Sequence, residues 1–101
     1  MRITYERTGG FTGMRVAMTI DLKDLPDDQA KELGDLLDQS DFFDLPEKIM
    51  PSGSVPDQFQ YTVTVEAERG SHTVRTGDVT APDSLRPLLE RLNQLSRIRR
   101  R

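Results

Sequence analysis

The chain has 101 residues, 31% of them charged and 35% hydrophobic, with a formal net charge of −3, a composition typical of one small, polar globular domain. It has no cysteine and one histidine, His72, which excludes disulfides, thiolate metal sites and sites with two histidine ligands. Its apolar runs are too short to span a membrane, and residues 1 to 7 lack the apolar core of a secretion signal, which predicts a cytoplasmic protein.

The first part of the chain predicts a β-hairpin. Residues 2 to 7 and 14 to 22 alternate between apolar and polar side chains, which is the pattern of a strand with one buried face. The connection Thr8-Gly9-Gly10-Phe11-Thr12-Gly13 is rich in glycine, which allows backbone angles that are closed to other residues. We therefore expect a glycine-rich loop that carries an aromatic side chain near its tip.

A helix and a long loop follow the hairpin. The acids and the proline in residues 24 to 28 are typical of a helix start, and apolar side chains at helical spacing continue to an expected end near Ser40. Phe42 and Phe43 are expected to seal this helix against the sheet. Residues 46 to 57 contain three prolines and a glycine, which predicts a long loop of the kind that often carries function.

The second part of the chain repeats the order of the first. Residues 58 to 67 form the strongest predicted strand, and a tight turn at Arg69-Gly70 leads to another strand over residues 71 to 76. The last helix is expected to begin near Ser84, because a proline at position 87 is tolerated only in a first turn. The order strand-strand-helix therefore occurs twice.

This order predicts a single α+β domain spanning residues 1 to 101. Its two layers are a four-stranded, mostly antiparallel sheet and two helices on one face of that sheet. With strands that alternate in direction, the glycine-rich loop, the long loop and the segment Thr76-Gly77-Asp78-Val79 all lie at one end of the sheet. Loops held on a rigid scaffold commonly carry function, so this end is the predicted site.

The candidate site residues come mainly from the two larger loops. Phe11 is hard to bury in its own sheet, so it either folds back as a plug or presents apolar area to a partner. Asp57 stands where the long loop meets the strongest strand, and its carboxylate either forms a turn or meets a metal or an arginine of a partner. The candidate target-binding residues are Gly9, Gly10, Phe11, Thr12, Ile49, Met50, Val55 and Asp57, with Asp78 as the alternative carboxylate.

Two further features are given structural interpretations. His72 lies in a predicted strand beside a tight turn and has no evident partner, so it is interpreted as an ordinary strand residue rather than a general base. The acids of residues 24 to 38 do not match an EF-hand loop and are interpreted as a solvated helix face. The protein is therefore expected to have no cofactor and no metal of its own.

Several stretches of the sequence resemble, in order, the landmarks of one family of small bacterial proteins. They are Glu6-Arg7-Thr8-Gly9-Gly10-Phe11-Thr12-Gly13, Phe42-Phe43-Asp44-Leu45-Pro46, Asp57-Gln58-Phe59-Gln60-Tyr61-Thr62-Val63-Thr64-Val65, His72-Thr73-Val74-Arg75 and Leu85-Arg86-Pro87-Leu88-Leu89. This series is similar to the emfourin family, whose members are named as protealysin inhibitors. The resemblance implies a protein that is not an enzyme and that inhibits thermolysin-like zinc metallopeptidases.

The implied partner gives the candidate residues definite roles. A thermolysin-like enzyme has a zinc ion with an open coordination position and apolar pockets beside it. We therefore expect the two adjacent loops to block that active site. Phe11 would be the apolar plug, and the carboxylate of Asp57, or alternatively that of Asp78, would be directed at the zinc, which binds carboxylate oxygen at about 2.0 to 2.2 Å.

The expected partner is thus a thermolysin-like, protealysin-like peptidase, bound by a monomeric inhibitor that makes no membrane contact. Residues 21 to 47 hold ten acids and two lysines, which argues against nucleic acid as the main partner. Residues 96 to 101 hold four arginines and are interpreted as a frayed basic helix end. Two alternatives stay open: an enzyme that uses His72, and a module for dimerisation, nucleic-acid binding or another interaction.

Overall fold

The computed structural model describes residues 1–9, 15–49, 59–68, 70–77 and 80–99. Within them, two 3-10 turns flank the first helix, at Leu22–Asp24 and Phe42–Asp44. The strands and helices in this part of the chain are β1 (Arg2–Gly9), β2 (Val16–Asp21), α1 (Asp27–Ser40), β3 (Lys48–Ile49), β4 (Phe59–Ala67), β5 (Gly70–Gly77) and α2 (Arg86–Arg99). The strands form one mixed sheet in the order β2-β1-β4-β5-β3.

This architecture confirms the α+β class but corrects the predicted sheet. The sheet has five strands rather than four, because β3 pairs in parallel with β5, with Lys48 beside Arg75 and Ile49 beside Thr76. The other neighbouring strands are antiparallel. The chain order is therefore β-β-α-β-β-β-α rather than strand-strand-helix twice. The additional strand has only two residues, too few to show an alternating pattern, and it lies in the segment predicted to be a loop.

The ends of the two helices follow local backbone chemistry. α1 ends at Ser40 as predicted, and Asp41 leaves the helix in a left-handed conformation with φ 53°. α2 begins at Arg86, after a turn at residues 83 to 85, so Pro87 falls in the first turn, where its missing amide hydrogen is tolerated. α2 continues to residue 99. No helix in the described part of the chain is long and apolar enough to cross a membrane.

One face of the sheet and both helices enclose a single hydrophobic core. Register places Val63 of β4 opposite Tyr5 of β1 and opposite Val74 of β5, so the predicted alternation is confirmed. The buried residues of the sheet are Ile3, Tyr5, Val16, Met18, Ile20, Val63, Val65 and Val74, and those of the helices include Leu33, Leu37, Leu88, Leu89, Leu92 and Leu95. Burial of this apolar area is the main stabilising term of the fold.

The sequence predicts that Phe42 and Phe43 both seal the core, but only Phe42 does. Phe42 is 1% exposed, whereas Phe43 is 49% exposed. The two residues are consecutive in a 3-10 turn, where successive side chains point about 120° apart because the turn has three residues. Only one of the pair can therefore face the sheet.

Val63 offers a direct test of the strand phase. Its side chain is 1% exposed between β1 and β5. Val63→Ala is expected to lower the free energy of unfolding by about 1–3 kcal/mol, through lost burial and a residual cavity. Chemical denaturation measures this change, and exposed Gln60 in the same strand provides the control, since Gln60→Ala should change stability by less than about 0.5 kcal/mol. Equal effects of the two substitutions would show that the strand phase is wrong.

Candidate functional site

The strand registers bring together the points where the predicted loops are attached. Gly9 at the end of β1 lies opposite Phe59 at the start of β4, and Gly77 at the end of β5 lies opposite the next residue of β4. The parallel strand β3 finishes at the same end, at Ile49. We call this end the loop end of the sheet and define it by Gly9, Ile49, Phe59 and Gly77. The predicted convergence is thus confirmed for the end of β1, the start of β4 and the end of β5. It is wrong for the start of the predicted long loop, because Leu45 lies beside His72 and the chain reaches the loop end only through β3.

Among the predicted site residues, the structure describes Gly9 and Ile49. Gly9 has φ 100°, in the left-handed region that favours glycine, so the chain leaves β1 in a conformation that other residues rarely adopt. Ile49 is half-buried against the hydrophobic core. The remaining candidates lie outside the described residues: Gly10, Phe11, Thr12, Met50, Val55, Asp57 and the alternative carboxylate Asp78.

A polar cluster attaches α2 to the loop end. Nη1 of Arg7 donates a hydrogen bond to Oδ1 of Asn93 at 2.7 Å, and the guanidinium of Arg7 lies 4.9 Å from the centroid of the Phe59 ring. The hydroxyl of Tyr5 donates to the same Asn93 oxygen at 3.3 Å. Through these contacts, one helix residue holds two residues of β1, and Arg7 in turn packs on the first residue of β4. The place where the long loop joins β4 is therefore well anchored.

This cluster was not predicted from the sequence. The signal for it was the position of Arg7, which continues the apolar phase of Ile3 and Tyr5 and therefore places a charged group on the covered face of the sheet. A partly buried guanidinium needs a partner, but the alternation does not indicate which residue supplies it. Asn93 has no distinctive neighbours in the sequence and becomes a partner only once α2 packs on the sheet.

Burial changes the acidity of Tyr5 in this cluster. The residue is 0% exposed, and burial raises the pKa of its hydroxyl from 10.0 to about 12, although the nearby Arg7 charge acts in the opposite direction. Because the pKa is higher in the folded protein than in the unfolded chain, the folded state retains this proton more strongly. The stabilisation of the folded state by the protonated Tyr5 hydroxyl is therefore complete below pH 10 and is lost as the pH rises towards 12.

Alkaline denaturation tests this assignment. The free energy of unfolding of the wild-type protein is expected to fall between about pH 10 and pH 12 by on the order of 2 kcal/mol more than that of Tyr5→Phe, which has no proton to lose. Denaturant titrations at several pH values measure both curves. Parallel curves would show that the Tyr5 hydroxyl ionises as easily in the folded protein as in the unfolded chain.

A threonine hydroxyl joins the other attachment points of the loop end. Oγ1 of Thr80 donates to the carbonyl of Ile49 at 2.7 Å and accepts from the amide of Gly77 at 3.1 Å. The amide of Ala81 also donates to the carbonyl of Gly77, at 3.0 Å. Hydrogen bonds therefore join the last residues of β3 and β5 to Thr80 and Ala81. This role of Thr80 was not predicted from the sequence.

His72 lies towards the opposite end of the sheet. Its Nε2 is 2.8 Å from the carbonyl of Leu45 and donates this hydrogen bond, since a carbonyl oxygen can only accept, and its ring lies 5.6 Å from that of Phe42 in an edge-on arrangement. These contacts confirm the interpretation of His72 as a packed strand residue and separate it from the loop end. Among the described residues, no group of three or more His, Cys, Asp or Glu side chains is arranged to hold a metal ion.

Comparison with known families adds to this geometry. The sequence model of the Emfourin family matches residues 5–93. The chain belongs to the Emfourin family. The family resemblance inferred from the sequence is thus confirmed. Membership of this emfourin in an inhibitor family indicates a role in metallopeptidase inhibition and a protease partner. Comparisons with curated proteins and with solved structures return no match.

Proposed function

We propose that this emfourin inhibits thermolysin-like zinc metallopeptidases by blocking the active site with two adjacent loops. The family supports the inhibitory role. The observation that carries the proposal is the convergence of Gly9, Ile49, Phe59 and Gly77 at one end of the sheet. Loops attached to one end of a rigid sheet are suited to enter a single concave site together.

The two loops have complementary roles in this proposal. Phe11 in the first loop is the apolar plug, which fills a pocket beside the zinc of the peptidase. Asp57 in the second loop directs its carboxylate at the zinc and competes there with the substrate and with the metal-bound water, and Asp78 is the alternative carboxylate. Apolar neighbours in the second loop, Met50 and Val55 among them, extend the contact around the carboxylate.

The scaffold supports this mode of binding because its loop end is already anchored. An inhibitor that is ordered before it binds loses less conformational entropy on association. The contacts of Arg7 with Asn93 and Phe59 restrain the point where the second loop meets β4, and Gly9 directs the start of the first loop. Inhibition by occupancy also needs no catalytic group in the inhibitor itself.

A titration against a thermolysin-like peptidase tests the proposed function. Increasing amounts of the protein should abolish cleavage of a peptide substrate at a stoichiometry of one inhibitor to one enzyme, and higher substrate concentrations should shift the curve as expected for competition. Light scattering should show a monomer before mixing and a one-to-one complex afterwards. Cleavage that is unaffected by a folded sample would contradict the proposal.

Deletion of residues 97 to 101 separates inhibition from the alternative roles of the basic tail. These residues hold four arginines and follow the segment matched by the family. The deletion is expected to leave peptidase inhibition unchanged and to remove any salt-sensitive binding to nucleic acid. His72→Ala should likewise leave inhibition in place, provided that denaturation shows a folded protein.

A further inference from the structure

We propose that Thr80 is a positioning residue of the inhibitory surface, which holds the start of the second loop in a defined place relative to the connection between β5 and α2. This inference rests on the proposed function. Thr80 is half-buried, and its hydroxyl both donates to the carbonyl of Ile49, at 2.7 Å, and accepts from the amide of Gly77, at 3.1 Å. One side chain thus joins three separate points of the chain.

The position of these partners gives the hydroxyl its importance. Ile49 is the last residue of β3, and the second loop begins directly after it. Gly77 is the last residue of β5, and the short connection that carries Asp78 begins there and ends at Thr80. The same hydroxyl therefore holds the start of the second loop and both ends of the connection that carries Asp78. Asp57 lies at the far end of the second loop, next to the Phe59 anchor, so Thr80 acts on it only through the course of the loop.

Sheet pairing alone fixes the start of the second loop by few contacts. β3 has two residues, and its pairing with β5 consists of Lys48 beside Arg75 and Ile49 beside Thr76. The amide of Arg75 adds one hydrogen bond to the carbonyl of Glu47, at 2.7 Å, on the side away from the loop. On the loop side, the hydrogen bond from Thr80 to the carbonyl of Ile49 holds the end of β3 beside β5. Loss of this bond should therefore change where the chain leaves the sheet.

Three substitutions separate positioning from general stability. Thr80→Val keeps the shape of the side chain but removes both hydrogen bonds, whereas Thr80→Ser keeps the hydroxyl. Thr73→Val is the matched control, because Oγ1 of Thr73 lies 2.9 Å from Oγ1 of Thr64 in the paired strand β4. Both substitutions therefore remove a threonine hydrogen bond to a sheet residue. The bond of Thr80 lies at the end of β5, whereas that of Thr73 lies nearer the middle of the strand.

Inhibition constants and amide chemical shifts of the free protein are then compared. Thr80→Val is expected to weaken inhibition about tenfold, while Thr80→Ser and Thr73→Val stay within about twofold of the wild type. In the free protein, Thr80→Val should shift the amide resonances of the non-proline residues in both 49 to 58 and 77 to 80, and Thr73→Val should shift neither group.

The outcomes distinguish failure of this inference from failure of the proposed function. Shifts confined to residues 77 to 80 would overturn the positioning role, whether or not a peptidase is inhibited. Equal weakening of inhibition by Thr80→Val and Thr73→Val, in proportion to lost stability, would also overturn it. A wild-type protein that inhibits no thermolysin-like peptidase would overturn the proposed function, and the chemical shifts would still decide whether Thr80 positions the second loop.

Discussion

Asp57→Asn is expected to weaken inhibition of a thermolysin-like peptidase by roughly 30-fold or more. The substitution keeps the size of the side chain but removes the negative charge that a zinc cation favours, and loss of one partner from a buried charge pair costs about 2–5 kcal/mol. The fold should persist, because the hydrophobic core is built by the strands and helices. Inhibition constants measured with a peptide substrate, together with denaturation curves, check both expectations.

Two other aspartates serve as controls for this result. Asp44 is exposed in the 3-10 turn Phe42–Asp44, away from the loop end, so Asp44→Asn should leave inhibition unchanged. Asp78→Asn should also have a much smaller effect than Asp57→Asn. If Asp78→Asn weakens inhibition and Asp57→Asn does not, the zinc-directed group belongs to the connection between β5 and α2, and the choice of Asp57 is wrong.

Removal of the zinc from the peptidase shows whether the carboxylate acts through the metal. Calorimetry can compare the binding of the wild-type protein and of Asp57→Asn to the peptidase with and without zinc. The difference between the two proteins should be large with the metal present and should largely disappear without it. A difference that is independent of zinc would place Asp57 against another group of the enzyme, such as an arginine.

Phe11→Ala is expected to weaken inhibition by about 2 kcal/mol or more, which is roughly 30-fold, with little change in thermal stability. A buried aromatic anchor contributes this much when it fills a pocket of the partner, whereas in the free inhibitor the side chain would be exposed at the tip of its loop. Inhibition constants and melting temperatures measure the two effects separately.

Phe43 provides the matched aromatic control. It is 49% exposed and lies near His72, with ring centroids 6.2 Å apart, towards the end of the sheet opposite the loop end. Phe43→Ala removes the same side chain and should leave inhibition unchanged. If Phe11→Ala instead lowers the melting temperature and leaves inhibition intact, Phe11 belongs to the core of the inhibitor and another residue fills the pocket.

Local patterns in the sequence were sufficient to predict most of the scaffold. Alternation with a period of two placed Val63 and Val65 on the covered face, because every second side chain of a strand points to the same side and only one side is covered. The alternating directions of the strands were enough to predict that Gly9 would lie at the same end as the start of β4. Ile49 reaches that end through β3, a strand that was not predicted. The family resemblance depended on the same local stretches.

The anchors of the loop end were decided only by tertiary structure. Arg7 and Asn93 are 86 positions apart, and Thr80 and Ile49 are 31 apart, so no local pattern relates the partners. β3 is too short to show an alternating pattern. Phe43 is the same residue type as its buried neighbour Phe42, so residue type alone does not show which of the two is exposed. Sequence by itself determined which side chains of the longer strands and helices are buried, since burial there follows from periodic hydrophobicity. Packing of distant elements determined which polar groups meet, because a hydrogen bond requires its two atoms to be placed within about 3 Å of each other.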